Sequence, residues 1–542
     1  MRKNWLLSLA SLLLCPVFAL GQAVIRGPYL QNANQNAITV KWRTDSLTDS
    51  RVQYGSTPGN LNRVATDATV TTEHTVRISG LWPDSTYYYS VGSTVMDLEG
   101  GDNSHHFHTN PPTGLIRPYE FWVLGDFGRG TAQEYWVRDQ YYDYASSHGL
   151  SDAWIWLGDN AYYVGADSEY TKWVFNVYDS LFSSLIFWPT PGNHDYYSVN
   201  ATSLPPYHTG PYYSIVDVPT HGEAGGFPSG GEMYYSFNYG NVHFISLNSE
   251  IGSWIFSNNT PLTWWLESDL QANTLPWTVV YFHQPPHSKG THSSDNFTEV
   301  NMIAMRSNIA PILEQYGVDL VLTGHCHNYE RSKLVYGFYD YSWNYNSSYE
   351  VDGGGGHELQ GQPYRKALSG AHPNRGTVYS VVGNGGSVGH NPPLNHPMME
   401  TNWGCDTCAG SMLIKVNNDT MRVEYWTSED SLLDEFAIYK DLYVGDTEPT
   451  IYQLGVHAWP NPFSDEVQLT ILMPDEARLV LSLTDMMGHE LVRESLGSLA
   501  AGTHRVDLGS KVRNLAAGTY LVRVSDGKRS TVSRLVKGGQ AP

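Results

Sequence analysis

Five apolar, strand-like runs each end in a polar tip, and together they restrict the fold more than any other feature of the chain. They are YEFWVLGD (119–126), DAWIWLGD (152–159), IFWPTPGNHD (186–195), WTVVYFHQPPH (277–287) and VDLVLTGHCH (318–327). Between several of them lie amphipathic stretches. SEYTKWVFNVYDSLFSSL (168–185) would set Trp173, Val177 and Leu181 on one helical face, and PLTWWLESDL opens with Pro261 at a helix start. Alternating strand and helix predicts largely parallel pairing, and ligands collect where the strands of such open sheets end. One sheet edge is therefore expected to gather all the tips.

A single tip says little, because GD is a common turn and a strand-end histidine is usually structural. Five in succession form a constellation: Asp126, Asp159, Tyr162, Asn193, His194, His283, His325 and His327. Carboxylate, amide and phenol oxygens combined with imidazole suit a first-row transition metal better than calcium, and sulfur is too scarce for a thiolate site.

The flanks read differently. Residues 24 to about 110 are short strands broken by turn residues (AITVKWRT, RVQYG, HTVRISGL, STYYYSVG), the cadence of an antiparallel sandwich, and TNPPTGLIRP follows as a stiff linker. MYYSFNYGNVHFISLN and GSMLIKVNNDTMRVEYW read as hairpins. The segments 196–232 and 337–376, rich in glycine and tyrosine, fit no regular element and could be lids or surface excursions. Strand-like runs return after HAWPNPFSDEVQLTI.

The 542 residues call for several domains. A net charge of −22 argues against a nucleic acid partner, yet a phosphorylated substrate stays open because bound metal can reverse the local sign. The opening MRKNWLLSLASLLLCPVFALGQA reads as an export signal cut before Gln22; lipid-modified Cys15 is the rival, without the small residues such a site prefers. No other segment approaches membrane-spanning length, so no transmembrane segment is expected. Cys405 and Cys408 (CDTC) are read as a disulfide, since a zinc knuckle would need a second C-x-x-C.

GDFG (125–128), GDNAY (158–162), GNHD (192–195), VYFH (280–283) and GHCH (324–327) occur in the order that resembles the purple acid phosphatases, within the calcineurin-like metallophosphoesterases. The front sandwich resembles their fibronectin-type domain. The stretch from PNPF to the final basic strand resembles a type IX secretion sorting domain, which implies export machinery as a partner. The resemblance implies a multidomain β and α/β chain. Its parts are a signal peptide at 1–21, an N-terminal β-sandwich at 22–112, a central α/β metallophosphoesterase fold of sheets flanked by helices at 113–447, and a C-terminal β-sandwich at 448–542.

General metallophosphoesterases usually begin with D-x-H. Gly128 stands where that histidine would be, and Tyr162 supplies the replacement. A phenolate favours Fe(III), and its charge transfer to iron colours the family purple. Residue by residue, the resemblance implies a ferric site of Asp126, Asp159, Tyr162 and His327. The second, divalent site (Zn, Fe or Mn) would comprise Asp159, Asn193, His283 and His325, with Asp159 bridging. His194 would stabilise the transition state or protonate the leaving group. His292, nine residues past His283, matches a substrate-facing histidine, although Ser293 follows where larger plant-like members often have a second histidine. His287 and Lys289 read as exposed loop residues, and Cys326 as a packing residue turned away.

The expected activity is that of a secreted or cell-surface acid phosphatase, hydrolysing small phosphate monoesters by attack of a metal-bound hydroxide. A phosphodiesterase or nucleotide-cleaving enzyme on the same core is the alternative. A non-catalytic surface binding protein is weaker, because no ligand position is lost.

Overall fold

The computed structural model of the chain describes residues 22–198, 209–369, 372–389, 394–440 and most of 454–538. The export signal, Cys15 and the PNP of PNPF lie outside the described residues, as do parts of both long segments, 199–208 and 370–371.

At the front, six strands form one hydrogen-bonded network around the long strand Ala37–Gly55. Its first part pairs with Val24–Gln31, its last part with Thr86–Gly92, and Arg63–Ser79 runs beside both. Register shifts between Arg43 and Ser50 interrupt the ladder, where extra residues bend a strand. The layers of the expected sandwich are thus joined by a shared strand. Trp42, Tyr89 and Phe107 fill its core, each worth about 2 kcal/mol or more on burial.

The central region contains two seven-stranded sheets, where the sequence reading expected one edge. In the first, Val242–Ser246, Trp277–Tyr281, Leu320–Thr323 and Val378–Val382 run parallel. Tyr235–Tyr239 pairs antiparallel with Val242–Ser246 as the expected hairpin. In the second, Tyr119–Leu124, Ala153–Trp156 and Phe187–Pro189 run parallel, and Gly410–Asn417 and Thr420–Thr427 form the other expected hairpin. The inner faces meet through aromatic rings: Trp188 stacks on Phe237 with centroids 3.8 Å apart, and Phe121 lies 4.7 Å from Phe244. A buried charge cluster stitches the sheets at the foot of Leu320–Thr323. Lys366 Nζ and Lys440 Nζ, both from the second sheet, each lie 2.7 Å from an Asp319 oxygen.

Two helices follow their sequence signals. Ala132–His148 is capped by Thr131, whose side chain accepts from the Glu134 amide, and Pro261–Ala272 is capped by Thr260. The helix expected over 168–185 is instead three pieces: Asp167–Glu169, a π-helical Tyr170–Phe175 and Asp179–Phe182. The wider π turn rotates the register. Val174, Phe175, Val177, Tyr178 and Leu181 are buried, while Trp173 is only half-buried.

The tail forms a three-stranded and a four-stranded sheet around its own core, including Leu469, Leu481 and Val522. Cys405 and Cys408 are disulfide-bonded, and Cys326 is free and buried. Among the described residues no helix is long and apolar enough to cross a membrane.

Candidate metal centre

Each parallel strand delivers its tip to the same end of the paired sheets. Asp126, Asp159 and the Asn193–His194 pair follow strands of the second sheet; His283, His325 and His327 follow strands of the first. The cluster therefore lies across the seam between two sheets. Close approach explains two of the glycines. A Cβ on Gly192 would come within 2.3 Å of the Asp159 amide nitrogen, and one on Gly158 within 2.6 Å of His283 Nδ1. Asp126, Asp159 and His325 all have left-handed backbones (φ 55°, 49° and 66°). For residues with a Cβ this strain costs of order 1–3 kcal/mol each and is typical of functional sites.

The Tyr162 hydroxyl lies 3.0 Å from Asp126 Oδ1, 3.1 Å from Asp159 Oδ2 and 3.4 Å from His327 Nε2. His283 Nε2 is 3.3 Å from Asp159 Oδ1, and its Nδ1 faces the Leu157 carbonyl at 2.9 Å. His194 uses Nδ1 on the Tyr163 carbonyl at 2.7 Å, leaving Nε2 3.8 Å from Asp159 Oδ2. The Asn193 amide nitrogen donates to the Tyr197 hydroxyl at 2.9 Å. His292 stacks on His325 with centroids 3.9 Å apart, and Glu299 accepts from His292 Nδ1 at 2.8 Å. All nine side chains singled out from the sequence thus converge on one region.

The electrostatics are those of a site built for positive charge. Asp126, Asp159 and Tyr162 are at most 2% exposed, and the ion-pair partners of both carboxylates among the described residues are histidines. Burying carboxylates costs several kcal/mol unless a cation compensates. Burial, then the Asp126 and Asp159 charges, push the Tyr162 phenol well above its ordinary pKa. Burial pulls His283 down, but Asp159 and Asp126 outweigh it and lift the imidazole to about 10. Burial lowers His325 to about 4. The buried Nε2 atoms of His283 and His325 face carboxylates, Asp159 at 3.3 Å and Glu299 at 3.9 Å, without forming a well-aligned hydrogen bond. Imidazole nitrogens turned toward carboxylates, with His327 Nε2 beside the Tyr162 hydroxyl, fit a transition-metal donor set.

A cleft of about 400 Å³ opens beside the cluster, lined by Asp159, Asn193, His194, His292, His325 and His327. Further lining comes from Tyr197, Glu250, Gln284, Glu299 and Asn301, which the sequence reading did not single out. Glu250 stands four residues past the strand Val242–Ser246, so the same strand-end rule would have reached it. Glu299 has no local signature. His287 corrects another expectation: it is 1% exposed and packs against Phe338, Tyr379 and His396 instead of occupying an exposed loop. Lys289 is partly exposed and ion-paired with Asp295 at 3.3 Å. Cys326 is buried and accepts from Ser288 Oγ at 3.1 Å.

Three family models match the chain: calcineurin-like phosphoesterase over residues 119–329, purple acid phosphatase N-terminal domain over 26–109, and secretion system C-terminal sorting domain over 457–538. Purple acid phosphatase 22 of Arabidopsis thaliana is 28% identical over 309 residues, covering 54% of this chain. The chain spans 63% of that relative's own length. Acid phosphatase type 7 of Danio rerio is 26% identical over 340 residues, 56% of this chain and 70% of the relative. The solved purple acid phosphatase PPD1 from yellow lupin (Lupinus luteus) seeds shares the fold with a TM-score of 0.59 at 18% identity, over 77% of this chain and 74% of that one.

Proposed function

We propose that this chain, similar to the purple acid phosphatases from Arg26 through the converging cluster, is an exported dinuclear-metal acid phosphatase that hydrolyses phosphate monoesters. The observation that carries the reading is the Tyr162 hydroxyl within 3.1 Å of both Asp126 and Asp159. Asp126, Asp159, Tyr162 and His327 would hold Fe(III). Asp159, Asn193, His283 and His325 would hold a second, divalent ion (Zn, Fe or Mn). Such a pair, when bound, supplies Lewis-acid polarisation of the phosphoryl group and activates water at low pH.

The chain's own residues do the remaining work. The Leu157 carbonyl accepts a hydrogen bond from His283 Nδ1–H and so presents the unprotonated Nε2 as an electron-pair donor. The Tyr163 carbonyl orients His194 through Nδ1, and in the imidazolium form that prevails in acid its Nε2–H can pass a proton to the departing oxygen. Glu299 holds the His292 ring at the cleft wall, where it can bind a phosphoryl oxygen. Export is supported by the N-terminal signal pattern and by the C-terminal sorting match. The proposed boundaries are 1–21 for the signal, 22–112 for the front domain, 113–447 for the catalytic domain and 448–542 for the sorting domain.

The test is an assay of the purified full chain with aryl phosphate mono- and diesters between pH 4 and 8, together with metal analysis. Monoester turnover with close to two metals per chain is expected. Diester turnover alone would replace this reading with that of a phosphodiesterase.

A further inference from the structure

The cleft wall has a charge pattern the hydrolysis itself does not require. Among its lining residues there is no lysine or arginine. Glu250 reaches in with only neutral partners: Ser249 Oγ at 3.1 Å, Asn301 Nδ2 at 3.3 Å and Gln284 Nε2 at 3.4 Å. Glu299, on the same wall, is by contrast already paired with His292 Nδ1 at 2.8 Å and lies 3.9 Å from His325 Nε2. Two basic groups near the cluster have partners of their own. Lys289 is paired with Asp295, and the Arg129 guanidinium lies over the Tyr163 ring at 4.9 Å and the Tyr162 ring at 5.5 Å, outside the lining.

The rim is apolar and aromatic. Tyr197 is 56% exposed and Val300 54%, both lining the cleft, and Phe297, beside the lining Thr298, is 78% exposed. His325 and His327, both placed at the metal cluster, line this cleft as well, so the wall stands beside the reacting centre.

Polyanionic leaving groups are ordinarily gripped by arginine or lysine forks. Here they would meet carboxylates at short range, in a partly desolvated site where like charges repel strongly. An ammonium group would meet the Glu250 carboxylate, bonded only to neutral groups, and the exposed Tyr197 ring, surroundings that favour such a cation. Resting on the phosphatase reading above, we propose that the cleft selects monoesters whose leaving alcohol carries an ammonium group, with Glu250 as the discriminating residue. Water adds to phosphorus as the bond to the alcohol oxygen breaks. That oxygen keeps the electron pair and takes a proton, so inorganic phosphate and the free amino alcohol are released.

The experiment compares kcat/KM of the full chain, with the metals it retains, on four esters: p-nitrophenyl phosphate, phosphoethanolamine, glycerol 2-phosphate and 3-phosphoglycerate. Phosphoethanolamine is expected to exceed 3-phosphoglycerate at least tenfold, with glycerol 2-phosphate between. Glu250→Gln should shrink that ratio at least threefold, and a ratio is insensitive to a general loss of active protein. If the variant does not fold, the wild-type series alone decides. Turnover of p-nitrophenyl phosphate without the ethanolamine preference overturns this proposal and leaves the phosphatase reading intact. No turnover of any ester overturns both.

Discussion

Tyr162 and Asp126 are 36 residues apart in sequence, yet the phenol hydroxyl lies 3.0 Å from the Asp126 carboxylate. The contact puts a potential phenolate where an extra imidazole would otherwise serve. A phenolate bound to Fe(III) absorbs visible light, so the purified chain is expected to be coloured. Tyr162→Phe should abolish the visible band, as read by absorbance, and lower iron content by metal analysis. A variant with an unchanged band would exclude Tyr162 from the iron.

His194 is anchored through Nδ1 and points Nε2 at Asp159, 3.8 Å away, while its ring packs on Tyr162 at 4.4 Å. His194→Ala should therefore reduce kcat by roughly 10²-fold or more, in the range expected for loss of a general acid. Two metals per chain should remain bound. Loss of metal in parallel with activity would assign the residue to coordination instead.

Gly192 has no room for a methyl group, because the Asp159 amide and carboxylate already occupy the position. Gly192→Ala should destabilise the fold by about 1–3 kcal/mol, the usual cost of overpacking. It should also remove most activity by displacing Asp159. Urea unfolding and an aryl phosphate assay together check both effects.

Asp319 is buried between Lys366 and Lys440, and removing it would strand two ammonium groups. Asp319→Ala is expected to cost about 3–5 kcal/mol, visible as a lower urea midpoint. Replacing all three residues by apolar ones of similar volume should cost much less.

His396 is buried beside His287, and burial lowers its pKa to about 4, below the ordinary value of 6.5. Burial lowers His287 as well. Below pH 6.5 the unfolded chain takes up protons that the folded chain refuses. The stability these residues provide is thus present above pH 6.5 and lost as the pH falls toward 4, by up to roughly 3 kcal/mol for His396. Unfolding midpoints measured across that window should drop, and His396→Gln should flatten the slope.

The strand tips were legible because each is a local signature, an apolar run stopped by glycine and a polar side chain. The π turn at Tyr170–Phe175 was not, since periodicity assumes 3.6 residues per turn and one wider turn moves Trp173 off the buried face. The division into two sheets was also hidden. Alternation predicts parallel strands but does not say whether Phe187–Pro189 and Trp277–Tyr281 share a sheet, and the hairpin from Tyr235 to Ser246 opens the other one. His287 read as an exposed loop residue, whereas packing against Phe338 and Tyr379, both distant in sequence, buries it. Glu299 reaches the cleft through tertiary folding alone, which no short pattern records.

The seam between the sheets bears on how such a chain matures. Asp126, Asp159 and Asn193 leave the ribosome well before His283, His325 and His327, and each group is fixed to a different sheet. On the proposed function, a nascent chain that has emerged only as far as Asn193 carries half a cofactor cradle. The cradle is whole only once the strands that end in His283, His325 and His327 have formed and docked.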